Sequence, residues 1–289
     1  MNHHPSGRGP SSNLKPFLKW AGGKQRLLPE LRQILPAGQR FIEPFLGAGS
    51  VFLGTGYPEY LLGDANPDLM AIWIALKSDP RGYVERAESL FCDANRSPEA
   101  YTRLRHEFNS SSDRLHRAAL FIYLNRFGFN GIFRVNSRGE MNTPYGKPST
   151  TPPFPSERLE QASYKLQRAK LHIGGFSFLL AQAGLGDVVY CDPPYSDVGQ
   201  TSFTAYTGSG FGVEEHQKLV RQAWEASSRG ALVAISNHDT PHTRVLYSGC
   251  EIHELEVRRS ISAKASARAT SAEVLAIFKP SQSALLPHP

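Results

Sequence analysis

The sequence predicts an α/β fold: a doubly wound sheet with helices on both faces, interrupted by a mainly helical insertion. Near both ends of the 289-residue chain, short apolar runs that stop at turn residues alternate with segments of helical spacing. That alternation is the pattern of a parallel sheet with crossover helices. The middle of the chain instead shows successive helical patterns and carries most of the excess positive charge.

The first part of the sheet is predicted from residues 40–64. A strand over 40–44 leads into a glycine-containing turn over 45–49, and a helix begins at Ser50. A second strand starts at Tyr60 and ends in Asp64. This β–turn–α–β unit is the usual beginning of a doubly wound sheet.

The insertion is predicted over residues 67–153. Its expected elements are helices over 69–76, from Ser97-Pro98 onward and over 115–125, a β-hairpin over 129–145 and a proline-rich linker over 148–155. Ser97 is expected to cap its helix, with proline at the first helical position.

Alternation resumes after the linker. The expected elements are a helix over 156–170, strands over 188–191 and 231–236, a helix over 213–229, a capped helix at Thr240-Pro241 and strands over 252–257 and 274–278. The sheet domain therefore comprises 13–66 and 154–280, flanked by a disordered leader over 1–12 and a flexible tail over 281–289.

Composition narrows the class of protein. Hydrophobic residues make up 40% and charged residues 20% of the chain, which is ordinary for a soluble globular protein. No apolar stretch approaches the ~20 residues needed to span a bilayer. The three cysteines, at 92, 191 and 250, form neither a disulfide framework nor a zinc pattern. We therefore expect a cytoplasmic protein without a metal site, acting as a monomer.

The positive charge is concentrated in the middle of the chain. Residues 101–170 contain twelve Lys and Arg against five Asp and Glu, an excess of +7 where the whole chain carries +6. A basic segment between near-neutral flanks indicates a face that binds a polyanion. The alternative is a solvated helical surface.

The stretch Asp192-Pro193-Pro194-Tyr195 ends a predicted buried strand. Its prolines stop the strand and stiffen the turn at the edge where open α/β sheets bind ligands. The turn suits a flat heterocycle with an exocyclic amine: Asp192 and the Pro193 carbonyl accept its hydrogens, and Tyr195 covers the ring. The alternative is a proline-rich surface turn.

Two further clusters indicate a nucleoside site. The turn over 43–49 lacks the Gly-x-Gly-x-x-Gly spacing of a pyrophosphate cradle, while Asp64 follows the next strand, where an acid binds ribose hydroxyls. A nucleoside cofactor without phosphates, such as S-adenosylmethionine, fits this combination. In residues 17–24, Trp20 offers a stacking face and Lys24 a cation for a carboxylate. A tight packing turn and an ordinary buried Trp are the respective alternatives.

These clusters, in this order, resemble the Dam group of N6-adenine DNA methyltransferases, which methylate GATC. Residues 123–131, Arg134 and 138–140 of the insertion resemble the same group, as do 236–240 and 257–262. The resemblance covers 17–280 and implies a Rossmann-like methyltransferase sheet, with the insertion as the target-recognition domain. It also implies S-adenosyl-L-methionine as cofactor and double-stranded DNA as partner.

The resemblance implies roles for individual residues. The catalytic set is Asp192, Pro193, Pro194 and Tyr195. The cofactor set is Trp20, Ala21, Gly22, Lys24, Glu43, Phe45, Gly47, Asp64 and Asp192. The DNA-binding set is Lys19, Asn125, Arg126, Phe129, Asn130, Ile132, Arg134, Arg138 and Pro144. Within it, Phe129 is the wedge beside an extruded adenine, Asn130 lies at the vacated position or the backbone, and Arg134 reads a guanine. Ile132 and Pro144 contact a thymine methyl group.

The sequence departs from the Dam group at two places, and three other functions are alternatives to the one that the resemblance implies. The wedge is a phenylalanine without a hydroxyl, and residues 263–269 are less basic than the group leads us to expect near DNA. The rivals are the modification enzyme of a restriction system with another target, a catalytically silent DNA-binding regulator and, more distantly, a nicotinamide oxidoreductase.

Overall fold

The computed structural model describes residues 12–194, 211–257 and 271–280. The predictions for Tyr195, for residues 1–11 of the leader, for 258–270 and for the tail lie outside these residues. Ser12, which was assigned to the leader, donates its backbone N–H to the Gly54 carbonyl at 3.1 Å.

The described residues form one seven-stranded sheet. Its strands are β1 (Arg40–Glu43), β2 (Glu59–Asp64), β3 (Ala169–Ile173), β4 (Asp187–Cys191), β5 (Leu232–His238), β6 (Glu251–Val257) and β7 (Ser271–Phe278). Their order is β3-β2-β1-β4-β5-β7-β6. The pairings from β3 to β5 are parallel, whereas β7 is antiparallel to both β5 and β6.

The helices lie on both faces of the sheet. They are α1 (Leu28–Ile34), α2 (Ser50–Gly54), α3 (Pro67–Ser78), α4 (Pro80–Glu88), α5 (Pro98–Ser110), α6 (Arg114–Phe127), α7 (Ser156–Leu166), α8 (Phe176–Ala181), α9 (Val213–Ser228) and α10 (Pro241–Leu246). Short 3-10 turns are present at Lys24–Arg26, Asp93–Asn95 and Phe129–Gly131. None of the helices in the described part of the chain is long and apolar enough to cross a membrane. The predicted α/β class is confirmed.

Two apolar clusters sandwich the central strands. In β4, Val188 and Tyr190 face a cluster that includes α3 and α6, while Val189 and Cys191 face a cluster with α8 and α9. Successive residues of a strand point to opposite faces, so a strand covered on both sides reads as a continuous apolar run. This burial on both faces explains why β1, β2, β4 and β5 were predictable.

The insertion shares its core with the sheet. Helix α3 packs against β2 and β3 as well as against α6, and Trp73 and Phe121 belong to the cluster that covers β1. The division of the chain at 66/67 and 153/154 therefore stays a prediction.

Several elements differ from the sequence expectations, including α1 and α4, which were not predicted. The helix expected over 156–170 ends at Leu166, and Ala169 and Lys170 belong to β3, which was not predicted. Among the described residues this strand pairs only with β2 and is partly exposed, so it lacks the continuous apolar run of a central strand. Helix α8 was also missed, because six residues are too few to show a helical period.

The predicted hairpin is present as an antiparallel path without a continuous ladder. Among the described residues it has two isolated bridges, Gly128 to Tyr145 and Val135 to Met141. A turn from Asn136 to Gly139 places Arg138 at its tip, and the Gly139 N–H donates to the Asn136 carbonyl at 2.9 Å.

Candidate active site

The turn after β4 opens into a cavity at the centre of the sheet edge. Strand β1 lies between β2 and β4, and the chain winds outward from β1 in both directions. In open sheets this reversal of strand order leaves a crevice beyond the carboxyl ends of the strands. Asp192 and the buried Pro193 follow β4 directly into that crevice, as predicted for the strand end.

A cavity of about 430 Å³ occupies this crevice. All the residues assigned to the cofactor set line it: Trp20, Ala21, Gly22, Lys24, Glu43, Phe45, Gly47, Asp64 and Asp192. Pro193 and Pro194 of the catalytic set line it as well. Segments separated by more than a hundred residues thus meet around one space of the size that small-molecule sites occupy.

The glycine turn is shaped by two tryptophans. Gly47 and Gly49 have φ values of +50° and +67°, in the left-handed region that favours glycine. A Cβ on Gly47 would lie 3.0 Å from Trp20 Nε1, and one on Gly49 would lie 2.9 Å from Trp73. The turn is therefore both a tight packing turn and a wall of the cavity.

Asp64 is oriented towards the cavity by two backbone donors. The Gly47 N–H donates to Oδ2 and the Asn66 N–H to Oδ1, both at 2.9 Å. Burial raises the pKa of Asp64, and these backbone donors partly offset the rise. Each carboxylate oxygen keeps acceptor capacity for a hydroxyl.

Lys24 lies between two carboxylates from different parts of the chain. Its Nζ lies 3.0 Å from Asp192 Oδ1 and 3.6 Å from Glu273 Oε2, and its side chain is only 6% exposed. Glu273 is on β7 and was not singled out in the sequence, because no local pattern marks a carboxylate within an apolar strand. A buried charge needs such pairing, since an isolated one is costly.

Two hydroxyl groups form a chain of hydrogen bonds that ends at Asp192. The Ser236 hydroxyl, on β5, donates to Asp192 Oδ1 at 3.0 Å, and the Tyr190 hydroxyl lies 3.0 Å from the Ser236 oxygen. Because the single Ser236 proton goes to Asp192, Tyr190 donates to Ser236. Lys24 and Ser236 therefore bind the same oxygen of the Asp192 carboxylate.

Glu43 is buried beneath the cavity floor. Its Oε2 accepts the backbone N–H of Phe52 at 2.9 Å, which satisfies one of the unpaired donors at the start of α2. Burial raises the pKa of Glu43 well above its usual value, and the nearby Asp192 carboxylate adds to the rise. Glu43 thus positions α2 as well as lining the cavity.

Three aromatic rings form a further wall of the cavity. Phe45 stacks with Phe176 at 5.5 Å between ring centroids and meets Phe211 edge-on at 5.6 Å. Phe176 and Phe211 were missed in the sequence, because each lies in a separate segment without a recognisable motif. The rings offer an apolar slot for a heterocycle.

The structure separates the predicted DNA-binding residues by exposure. Lys19, Phe129, Asn130, Arg138 and Pro144 are exposed, whereas Arg126, Ile132 and Arg134 are half-buried. Phe129 is 51% exposed and is one of several large apolar side chains at the surface of the described residues. Asn130 adopts a left-handed conformation with φ of +53°.

Asn125 has a different environment from the one expected of a DNA contact. It is buried, accepts the Lys19 N–H at 2.9 Å and donates to the carbonyls of Lys19 and Gly131 at 2.7 and 2.8 Å. These bonds use both ends of its amide. The arrangement makes Asn125 a clamp that holds residue 19 against the insertion.

Stacked rings connect the cavity to the insertion. Trp20 on the cavity wall stacks with Phe121 and Phe133 at 6.3 and 6.4 Å, and these two rings stack at 4.9 Å. Phe133 lies in the hairpin path. The wall of the cavity and the hairpin are therefore parts of one packed unit.

The chain combines an open α/β sheet, a cavity beyond the carboxyl ends of its strands and a helical insertion packed on the same core. This is the architecture of an α/β domain that binds its ligand at the reversal of strand order. Residues 20–261 match the family of D12 class N6 adenine-specific DNA methyltransferases, and the chain belongs to that family. It is therefore an adenine-specific DNA methyltransferase, which confirms the predicted enzyme class.

Two relatives illustrate the match. The chain is 42% identical over 266 residues to a protein named DNA adenine methylase from Vibrio cholerae serotype O1, covering 91% of this chain and 96% of the relative. It is 43% identical over 265 residues to the protein of the same name from Escherichia coli K12, covering 91% and 95%. Among solved structures, the rRNA methyltransferase aviRa from Streptomyces viridochromogenes aligns over 91% of this chain and 88% of its own, with 14% identity and a TM-score of 0.38.

Proposed function

We propose that this enzyme transfers the methyl group of S-adenosyl-L-methionine to N6 of an adenine that is extruded from double-stranded DNA, within the sequence GATC. The observation that carries the proposal is the Asp192-Pro193 turn at the mouth of the cavity. It sets a carboxylate and a backbone carbonyl next to a space suited to a nucleoside cofactor. The relatives named DNA adenine methylase support the same chemistry.

The cavity residues fit this cofactor. Asp64 has acceptor capacity for the two ribose hydroxyls, and the Phe45, Phe176 and Phe211 rings suit an adenine ring. The carboxylates of Asp64, Asp192 and Glu215 line the cavity and outnumber the ammonium of Lys24, which favours a cationic ligand. When bound, S-adenosylmethionine supplies an electrophilic methyl group on a sulfonium centre.

The chain's own residues position the acceptor amine. Ser236 and Lys24 hold Oδ1 of Asp192, so the carboxylate is oriented before substrate arrives. Asp192 and the Pro193 carbonyl would accept the two N6 hydrogens and direct the nitrogen lone pair towards the methyl group. Alignment and electrostatics of this kind supply a large share of the rate enhancement.

The insertion contributes extrusion and sequence reading. Phe129, exposed at the start of the hairpin, has the apolar surface of a wedge that fills the place of a flipped base. The Arg134 guanidinium donates from Nε to Asn142 Oδ1 at 2.7 Å and from one terminal nitrogen to the Asn142 carbonyl at 3.0 Å. The other edge of the guanidinium suits the O6 and N7 atoms of a guanine.

Mapping of N6-methyladenine at single-base resolution on plasmid DNA tests the proposal. Incubation with S-adenosylmethionine should produce the modification at GATC, and Asp192→Ala should reduce it to background while duplex binding is retained. Asp93→Ala, which removes a carboxylate that is 81% exposed, is the control and should methylate normally. Methylation confined to other sequences would overturn the specificity, and an active Asp192→Ala variant would overturn the role of this carboxylate.

A further inference from the structure

Three cations from different parts of the chain converge beside the insertion. Lys19 precedes the cavity wall, Arg126 is in the last turn of α6, and Arg158 is in the first turn of α7. Lys19 and Arg126 belong to the predicted DNA-binding set. Arg158 belongs to the sheet domain and carries no role from the sequence.

Hydrogen bonds connect the segments that carry the three cations. Arg158 donates to the Pro16 carbonyl at 3.1 Å, three residues before Lys19. The Lys19 backbone is clamped by Asn125, next to Arg126. Arg126 in turn donates to the Pro153 carbonyl at 3.4 Å, five residues before Arg158. These contacts hold the three segments next to one another.

The three cations are not ion-paired within the described ranges 12–194, 211–257 and 271–280, although Glu157 shares the first turn of α7 with Arg158. The buried Nε of Arg126 has no hydrogen-bond partner in those ranges. Burial and the neighbouring Arg158 lower the pKa of Arg126, and burial and Arg126 lower that of Lys19. Like charges at close range cost free energy unless an anion joins them.

The cluster lies next to the proposed wedge. A Cβ on Gly131 would come within 2.5 Å of Lys19 Cβ, so Lys19 packs directly on the 3-10 turn that contains Phe129 and Asn130. An anion bound here would therefore be adjacent to the extruded base.

We propose that Lys19, Arg126 and Arg158 together bind a phosphate of the DNA backbone beside the target adenine, and that Arg158 supplies this contact from the sheet domain. The inference rests on the proposed function for its partner. It assigns a DNA contact to a residue outside the predicted insertion. The predicted catalytic and recognition domains would then both contact the DNA backbone beside the target adenine. Guanidinium groups suit this task, because their forked donors match phosphate oxygens.

The salt dependence of duplex binding tests the inference. Each neutralised phosphate contributes about 0.9 to the slope of log K against log salt concentration, so Arg158→Gln should lower that slope by about one. Because a phosphate contact carries no sequence information, affinity should fall by a similar factor for duplexes with and without GATC. S-adenosylmethionine binding should be unchanged.

Matched variants keep the result interpretable. Arg81→Gln removes an 89% exposed guanidinium that is already paired with Glu85, and should leave the slope unaltered. Arg158→Lys keeps the charge and should retain most of the slope, which excludes a folding defect as the cause. An unchanged slope in Arg158→Gln, or a loss restricted to GATC duplexes, would overturn the inference. The titration involves no methyl transfer, so it remains valid if the proposed reaction or its target sequence is wrong.

Discussion

Lys24 places one ammonium between two carboxylates with different tasks. Asp192 faces the cavity and is proposed to hold the acceptor amine, whereas Glu273 lies behind it on the antiparallel strand β7. Without the Glu273 carboxylate, the Lys24 ammonium would interact more strongly with Asp192. It would then compete with the substrate amine for the Asp192 oxygens. We therefore expect Glu273 to act as a positioning residue through Lys24.

We expect Glu273→Gln to slow methyl transfer while leaving duplex binding intact. The lost charge-assisted contact should reduce kcat about tenfold, equivalent to about 1.4 kcal/mol, because the carboxylate geometry matters most in the transition state. Single-turnover kinetics with labelled cofactor would measure it. Glu254→Gln, at a 70% exposed carboxylate paired with Arg244, is the control. A normal kcat in Glu273→Gln would refute the positioning role.

At the scale of elements, side chains of α5 replace the missing ladder of the hairpin. Asn109 donates to the Met141 carbonyl at 3.0 Å and accepts the Met141 N–H at 2.9 Å, and the Tyr101 hydroxyl donates to the Thr143 carbonyl at 3.2 Å. These residues are eight apart and so face the same side of the helix. The helix thereby orients the segment opposite Arg134.

Asn109→Ala should relax sequence discrimination more than it reduces overall activity. It leaves two backbone groups of Met141 unpaired, at a cost of about 1–3 kcal/mol, and so loosens the segment that supports Arg134. The ratio of kcat/KM between GATC and singly altered sites should fall. Ser110→Ala is the control, since that hydroxyl donates only within its own helix. Unchanged sequence discrimination in Asn109→Ala would show that the hairpin is ordered without the hydrogen bonds of Asn109.

At the scale of the whole molecule, Lys165 connects α7 to the end of α2. From α7 its Nζ donates to the Leu53 and Thr55 carbonyls at the end of α2, and it lies 5.1 Å from the centre of the Phe52 ring. Glu43 holds the start of the same short helix. Burial lowers the pKa of Lys165 to about 7, which makes this junction sensitive to pH.

The sign of that sensitivity follows from proton binding. Between pH 7 and about 10 the unfolded chain keeps Lys165 protonated while the folded chain releases the proton, so this group makes stability rise with pH, by up to about 1.4 kcal/mol per pH unit. Below pH 7 both states are protonated and its contribution is constant. The unfolding free energy of Lys165→Met should therefore rise less steeply with pH than that of the wild type. Lys170→Met, at an exposed position of β3, should follow the wild type, and parallel curves for Lys165→Met would contradict the prediction.

The sequence by itself determined the central strands, the turns at their ends and many of the residues that line the cavity, though not Phe176 and Phe211. Strands buried on both faces appear in the sequence as continuous apolar runs. The glycine, aspartate and proline residues that follow them mark the turns at the ends of the strands. Only the tertiary structure decided the edge strand β3, the Glu273 partner of Lys24 and the clamp role of Asn125. These depend on contacts across long separations, such as the 106 residues between Lys19 and Asn125, and a local pattern carries no trace of them. Arg158 was missed for the same reason, because its proposed role depends on Lys19 and Arg126, which only folding brings close to it.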